Sequence, residues 1–226
     1  MFPSSFRTMD DKLLDEITAL EGAERIKFVL DKCFAFDVDI KKVQDFALVE
    51  IEENLCVLEL ANAKAFVSFD EKVIKYVVAA VVVSAYIDMA CGKLNLFLPY
   101  DETFTSLIDG AVLAKSLLPI EIFVGASGNK FCGEGVTLKE IDEDEVGLII
   151  RDFSDFDDYV FDPVSALAAG AYDLVEDEDT PSVIVSVASP MTRAREVLQA
   201  LGFRAKDEKS AREKLEELFA IEPIEE

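Results

Sequence analysis

The stretch that decides the fold is LNLFLPYDETFTSLIDGAVLAKSLLPIEIFVG, residues 94–125. It opens with an apolar strand pattern at 94–98 and continues through a polar loop into helical spacing of apolar residues over 105–117. A second apolar strand pattern follows at 120–125. A strand, a helix and a strand in this order form a βαβ unit, whose strands run parallel with a right-handed crossover. We therefore predict a parallel sheet.

Further strand and helix patterns extend this unit in both directions. Strand patterns occupy 55–60 and 183–187, and helical spacing covers 10–20, 23–33, 40–49, 72–90, 141–150, 163–175, 190–201 and 210–219. Asp162 is the predicted cap of the helix that begins at Pro163. The segments 127–135 and 152–162 are predicted loops. The alternation predicts an α/β fold with three layers, in which helices flank a mostly parallel sheet. We expect an N-terminal helical region over 1–54 and an α/β domain over 55–226.

Composition excludes several classes of function. The chain has 226 residues, a net charge of −24 and no histidine. A surface with this much negative charge repels nucleic acids and anionic membranes. The absence of histidine excludes Ser-His and Cys-His catalysis and zinc sites with histidine ligands. Four scattered cysteines without a CxxC pair favour a reducing compartment. With no secretory signal pattern, and an apolar run at 76–85 too short to span a bilayer, we expect a cytoplasmic protein.

Ligands of such folds bind beyond the carboxyl ends of the strands, so the loops after Leu98, Gly125 and Val187 hold the candidate site. Six segments in and around these loops read LEL (58–60), FDE (69–71), LPYDETFTSLIDGAVLAKSLLPI (98–120), ASGN (126–129), FDPVSA (161–166) and SVASPMT (186–192). In this order and in these strand–loop–helix contexts, they resemble segments of the threonine synthase family. The resemblance covers most of residues 25–203.

The resemblance implies a fold-type II pyridoxal phosphate (PLP) enzyme that converts O-phosphohomoserine into threonine and phosphate. Such an enzyme needs a lysine for the Schiff base, a glycine-rich phosphate loop and a hydroxyl facing the pyridine nitrogen. It also has a second, smaller α/β domain, which this sequence lacks between Phe69 and Tyr76.

The positions that match these functional motifs carry other residues. Asp70 stands at the lysine position, Asp101 and Glu102 lie in the phosphate loop, and Val187 replaces the hydroxyl residue. The vestigial cofactor site that the resemblance implies comprises Asp70, Asp101, Glu102, Thr103, Thr105, Asn129, Val187 and Ser189, and we expect neither catalytic residues nor a bound cofactor. Thr103 and Thr105 are predicted to cap the following helix. Whether Lys64, Lys72 or Lys75 substitutes for the missing lysine stays open.

The favoured hypothesis is a catalytically inactive threonine synthase-like protein that acts through binding, either to itself as a homo-oligomer or to a protein partner such as a full-length synthase. One alternative is a repurposed enzyme that binds a small molecule or a metal beside Asp101 and Glu102. Another is a residual PLP-dependent lyase. No metal site is predicted, because the acidic segment at 152–158 lacks the central glycine and closing glutamate of a calcium loop. Arg193 and Arg195 remain open as anion ligands.

Overall fold

A computed structural model describes residues 9–36, 46–52, 54–60, 71–89, 92–102, 105–128, 133–175, 177 and 179–219. Its sheet consists of β1 (Phe46–Glu52), β2 (Leu55–Leu60), β3 (Leu94–Pro99), β4 (Ile120–Ala126), β5 (Thr137–Glu140) and β6 (Ser182–Ser186). The spatial order is β1-β2-β6-β3-β4-β5. Only β1 runs antiparallel to its neighbour, and the other adjacent pairs are parallel. The predicted three-layer, mostly parallel α/β fold is confirmed.

Helices cover both faces of the sheet. They are α1 (Asp11–Thr18), α2 (Gly22–Phe34), α3 (Glu71–Asp88), α4 (Thr105–Lys115), α5 (Glu143–Phe156), α6 (Ser165–Asp173), α7 (Ala194–Ala200) and α8 (Glu208–Phe219), with a 3₁₀ turn at Pro190–Arg193 before α7. α1 to α4 bury their apolar side chains in one cluster on the first face. α5 to α8 contribute to a separate cluster on the second face. We call these two sets the first layer and the second layer.

The first layer is built around α3, which is apolar on nearly all sides. Residues 77–86 of this helix are all buried. A helix of that kind must lie between other elements, and α3 packs against both α2 and α4. Arg25 ties α2 to α3, because its guanidinium pairs with the Asp88 carboxylate and donates to the Leu20 carbonyl over 2.6 Å.

The second layer approaches the sheet closely through small residues. The helix α6 has the sequence SALAAGAYD and packs against β3, β4 and β6. At Gly125 of β4, an added Cβ would overlap the carbonyl group of Leu167 in α6. This contact brings the start of α6 to the carboxyl ends of the strands, where the candidate site was predicted.

Most predicted elements are confirmed within a few residues, but the helix predicted over 40–49 is wrong from Phe46 onward. Residues 46–52 form β1, because Ala47, Val49 and Ile51 alternate with Leu48, Glu50 and Glu52 and suit the two sides of a strand. Residues 40–45 lie outside the described ranges. The division of the chain into 1–54 and 55–226 stays a prediction.

The loop predicted over 152–162 is also wrong at its beginning. α5 continues to Phe156, because Phe153 is buried edge-on against Phe161 with the ring centroids 5.2 Å apart. The short strand β5 was not predicted at all, since TLKE carries no run of apolar residues. Among the described residues, no helix combines the length and the apolarity needed to cross a bilayer.

Candidate functional site

The carboxyl ends of β3, β4 and β6 meet at one edge of the sheet, which we call the carboxyl edge. Leu96 is level with Val183 and Phe97 with Ile184, so the neighbouring strands β3 and β6 end at the same height. After β3 the chain turns into α4 on the first face, whereas after β6 it enters the 3₁₀ turn and α7 on the second face. Such a divergence of neighbouring connections opens the crevice in which α/β proteins bind ligands.

The fold brings part of the predicted site together. Asp101 and Glu102 follow β3, while Val187 and Ser189 follow β6, so these four residues share the carboxyl edge. Thr105 is the first residue of α4. Asp70, Thr103 and Asn129, as well as Lys64, lie outside the described residues.

Asp162 connects several hydrogen bonds at the carboxyl edge and is only 1% exposed. Its carboxylate accepts hydrogen bonds from the Val164 N–H (2.9 Å) and the Ser165 N–H (3.3 Å), and a short bond from the Ser165 hydroxyl. These bonds satisfy backbone donors at the start of α6, as predicted for Asp162, although α6 begins at Ser165 and not at Pro163.

Ser165 connects this cap to the end of β6. Its Oγ accepts the Val187 N–H over 2.9 Å, and the Ser186 hydroxyl lies 3.4 Å away. Ser186 also interacts with the Tyr159 hydroxyl, which donates to Oε1 of Glu59 over 2.6 Å. Glu59, Tyr159, Asp162, Ser165 and Ser186 thus form one hydrogen-bonded chain across β2, β6 and α6, which we call the Asp162 network.

Burial dominates the electrostatics of the Asp162 network. It raises the pKa of Asp162 to about 6, although the hydrogen bonds from Ser165 and Val164 and the positive charge of Arg193 act in the opposite direction. Burial, followed by the Glu59 carboxylate, also raises the pKa of the Tyr159 phenol. Tyr159 therefore stays a neutral donor at physiological pH, and burial favours the protonated form of Asp162 relative to an ordinary aspartate.

Sequence reasoning identified Asp162 as a cap but missed the rest of this network. Tyr159 and Glu59 are separated by 100 positions, so no local spacing signals their contact. Ser165, three residues after Asp162, was the one available signal, because a hydroxyl there can bond the capping carboxylate.

The acidic segment at 152–158, a candidate calcium loop in the sequence, forms the end of α5 and the two residues after it. Throughout the described ranges, no three side chains of Asp, Glu, Cys or His converge as ligands of a metal ion. Partial desolvation and the nearby carboxylates of Asp152 and Asp157 raise the pKa of Asp173 to about 6. Asp157 likewise has a raised pKa, through desolvation and the negative charges of Glu52 and Asp158.

Solved structures share this fold. Threonine synthase from Escherichia coli superposes with a TM-score of 0.69 and 12% identity, over 94% of this chain and 87% of that chain. The PLP-bound threonine synthase from Brucella melitensis gives a TM-score of 0.50 and 13% identity, over 59% of this chain and 44% of that chain. The sequence matches no protein-family model, and a search of curated proteins found no match. At these identities the likeness establishes a threonine synthase-like fold and no more.

The described residues of the carboxyl edge do not fit the PLP site that the resemblance implies. Val187 is 1% exposed and belongs to the apolar cluster of the first layer, so no hydroxyl is available at its position. The backbone donors of Val187 and Met191 already bond to the hydroxyls of Ser165 and Ser189. The described residues that follow β3, β4 and β6 at this edge, 99–102, 126–128 and 187–189, include no lysine.

Among the three lysines that could substitute for the Schiff-base lysine, the structure describes the side chain of Lys75 alone. Its ammonium lies 5.3 Å from the centroid of the Tyr76 ring, which stacks on Phe36 just after α2. This contact places it beside the aromatic group between α2 and α3. For Lys72, the structure describes only the backbone within α3.

Proposed function

We propose that this chain is a catalytically inactive threonine synthase-like protein that acts by binding another protein. The observation that supports the loss of catalysis is the state of Val187, whose side chain is buried among apolar residues and whose N–H is bonded to Ser165. A PLP enzyme of this fold needs a hydroxyl at that place to face the pyridine nitrogen. Valine offers none.

The sequence supports the same proposal at two further positions. Asp70 occupies the place of the lysine, and a carboxylate cannot form an imine with an aldehyde. The turn at 100–105 contains no glycine, although close approach of backbone N–H groups to a phosphate depends on glycines. Together, these two changes would remove the Schiff base and the phosphate cradle.

A cofactor-binding assay tests this proposal directly. The purified chain is incubated with PLP, reduced with borohydride, dialysed, and examined by absorbance and by intact mass. We expect no specific Schiff-base absorbance and no stoichiometric mass increase. Phosphate release from O-phosphohomoserine in the presence of PLP should equal that of a protein-free control.

The design separates a specific adduct from random labelling. Exposed lysines such as Lys12 react weakly with any aldehyde, and their adducts spread over many sites at less than one per chain. A single reduced adduct on Lys64, Lys72 or Lys75, mapped by peptide mass, would overturn the proposal and favour a residual lyase.

A further inference from the structure

Large apolar side chains are exposed on the outer side of α5. Phe156, the last residue of the helix, is 83% exposed, and Leu148, two turns earlier, is 53% exposed. Positions eight apart lie along one stripe of a helix, with Asp152 between them. Leu174 is 52% exposed just after α6, beside Asp173, whose carboxyl senses the charge of Asp152. We call these residues — Leu148, Asp152, Phe156 and Leu174 — the α5 face.

The end of α5 carries negative charge where a helix favours positive charge. Asp155, Asp157 and Asp158 surround Phe156, and no basic residue occupies the last turn. The carbonyl end of a helix has a partial negative charge and disfavours nearby carboxylates. Next to Phe156, the helix thus carries carboxylates where helices ordinarily carry basic side chains.

These carboxylates have no cationic partner among the described residues. None of the ion pairs formed between described residues includes an aspartate of 152–158 or Asp173. Asp157 and Asp173 both have raised pKa values, in part because neighbouring carboxylates repel their charged forms. An external cation at this surface would relieve that repulsion.

We propose that the α5 face docks a partner segment that presents an apolar side chain to Phe156 and basic side chains to the surrounding aspartates. This inference rests on the proposed binding function and names the chemistry of the partner. A second copy of this chain fits worse, because symmetric contact through Phe156 would bring the two acidic clusters together. The partner is therefore a protein with a basic, apolar surface, of the kind that an amphipathic helix provides.

Two synthetic helical peptides test the proposal. One carries leucine on one face and lysine on the other, and its control has the same leucines with glutamate in place of lysine. Binding of each labelled peptide to the full chain is measured by fluorescence anisotropy at several salt concentrations. We expect the lysine peptide to bind with an affinity that falls as salt rises, and the glutamate peptide not to bind.

Matched variants locate the contact. Phe156→Ser should weaken binding of the lysine peptide about tenfold or more, as loss of an aromatic anchor does. Phe203→Ser, at an exposed ring that instead lies 4.5 Å from the Lys214 ammonium, serves as the control and should leave affinity unchanged. The pair Asp155→Asn and Asp158→Asn should weaken binding several-fold and flatten its salt dependence. Asn is suited to position 158, where the backbone has a φ of 53°.

Three outcomes would overturn the inference. Equal binding of both peptides would remove the role of charge. Unchanged affinity in Phe156→Ser, with the thermal midpoint also unchanged, would remove the role of the α5 face. A dimer in light scattering that becomes a monomer in Phe156→Ser would assign this face to a second copy. None of these results bears on PLP binding. A failed peptide-binding test therefore leaves the cofactor-binding assay, which tests the proposed loss of catalysis, unaffected.

Discussion

The two layers that flank the sheet are held together in different ways. In the first layer, the apolar helix α3 fills the space between α2 and α4, and the Arg25–Asp88 pair joins the end of α3 to α2. In the second layer, the small residues of α6 let backbone approach backbone, and the buried Asp162 network fixes where the helix begins. The layer that shapes the carboxyl edge thus depends on close approach and hydrogen bonds more than on volume.

Gly125→Ala should give the largest effect, because it breaks the closest approach in the second layer. The new Cβ would overlap the Leu167 carbonyl, and backbone cannot move aside cheaply. We expect a loss of about 3 kcal/mol in the free energy of unfolding, measured by urea denaturation.

Gly147→Ala is the matched control in the same layer. Position 147 lies within α5, where an added Cβ would sit 3.7 Å from the Ala200 Cβ in ordinary contact. There, alanine should stabilise the chain by about 0.5–1 kcal/mol, through the lower conformational entropy of the unfolded state. Equal effects of the two substitutions would contradict the claim that the close approach at Gly125 holds α6 against the sheet.

Arg25→Met tests the polar anchor of the first layer and should cost about 2 kcal/mol in the same measurement. The change removes the bond to the Leu20 carbonyl and leaves Asp88 without its partner. The loss stays below that of a fully buried pair because the Asp88 side chain is 40% exposed and water can solvate it. Lys12→Met, which removes an exposed pair with Glu16, should change stability by less than about 0.5 kcal/mol.

Asp173→Asn tests the second layer through the pH dependence of its stability. Its expected effect is the smallest among the substitutions that test the two layers. The pKa of Asp173 is raised to about 6, so its protonated form is favoured in the folded state. The stability that this preference provides is complete below the ordinary pKa of an aspartate and is lost as pH rises through about 6. The thermal midpoint of the variant should therefore exceed that of the parent chain by about 1–2 °C at pH 7.5, after allowance for solvent screening, and match it near pH 4.

Scanning calorimetry across this pH range checks the prediction for Asp173. Asp109→Asn, at an exposed position in α4, controls for the general benefit of reducing a net charge of −24. If both variants gain equally at pH 7.5, the local cluster around Asp173 has no special role.

The fold was predictable wherever one residue pattern dominated. The strand at 94–98 is buried on both sides, and the strand at 120–125 is buried except at Glu121 and the half-buried Phe123, so their apolar residues stood out from the sequence. The segment that forms β1 was predicted as a helix. Half of all positions in the chain are apolar, and at that density a short segment matches the helical period and the strand period about equally well. β5 has only four residues, which are too few to show a period.

The candidate site was predictable in position but not in its contacts. The alternation of strands and helices located the carboxyl edge, and the resemblance to threonine synthase indicated Val187 within it. The Asp162 network escaped prediction because hydrogen bonds between Tyr159 and Glu59, or between Ser165 and the Val187 N–H, join distant segments. The exposure of Phe156 was equally hidden, since a phenylalanine at a helix end more often turns inward.

The position of β6 has a consequence for how the chain is made. This strand lies between β2 and β3, yet it comes last in sequence among the strands of the described ranges. During synthesis, β2 and β3 therefore leave the ribosome with the edges that face each other still unpaired, and they stay so until residues 182–186 emerge. Apolar strands with open edges are prone to aggregate, and contacts between distant segments form slowly. Chaperone demand should thus peak just before β6 appears, and a nascent chain truncated after 181 should be the species most prone to aggregation.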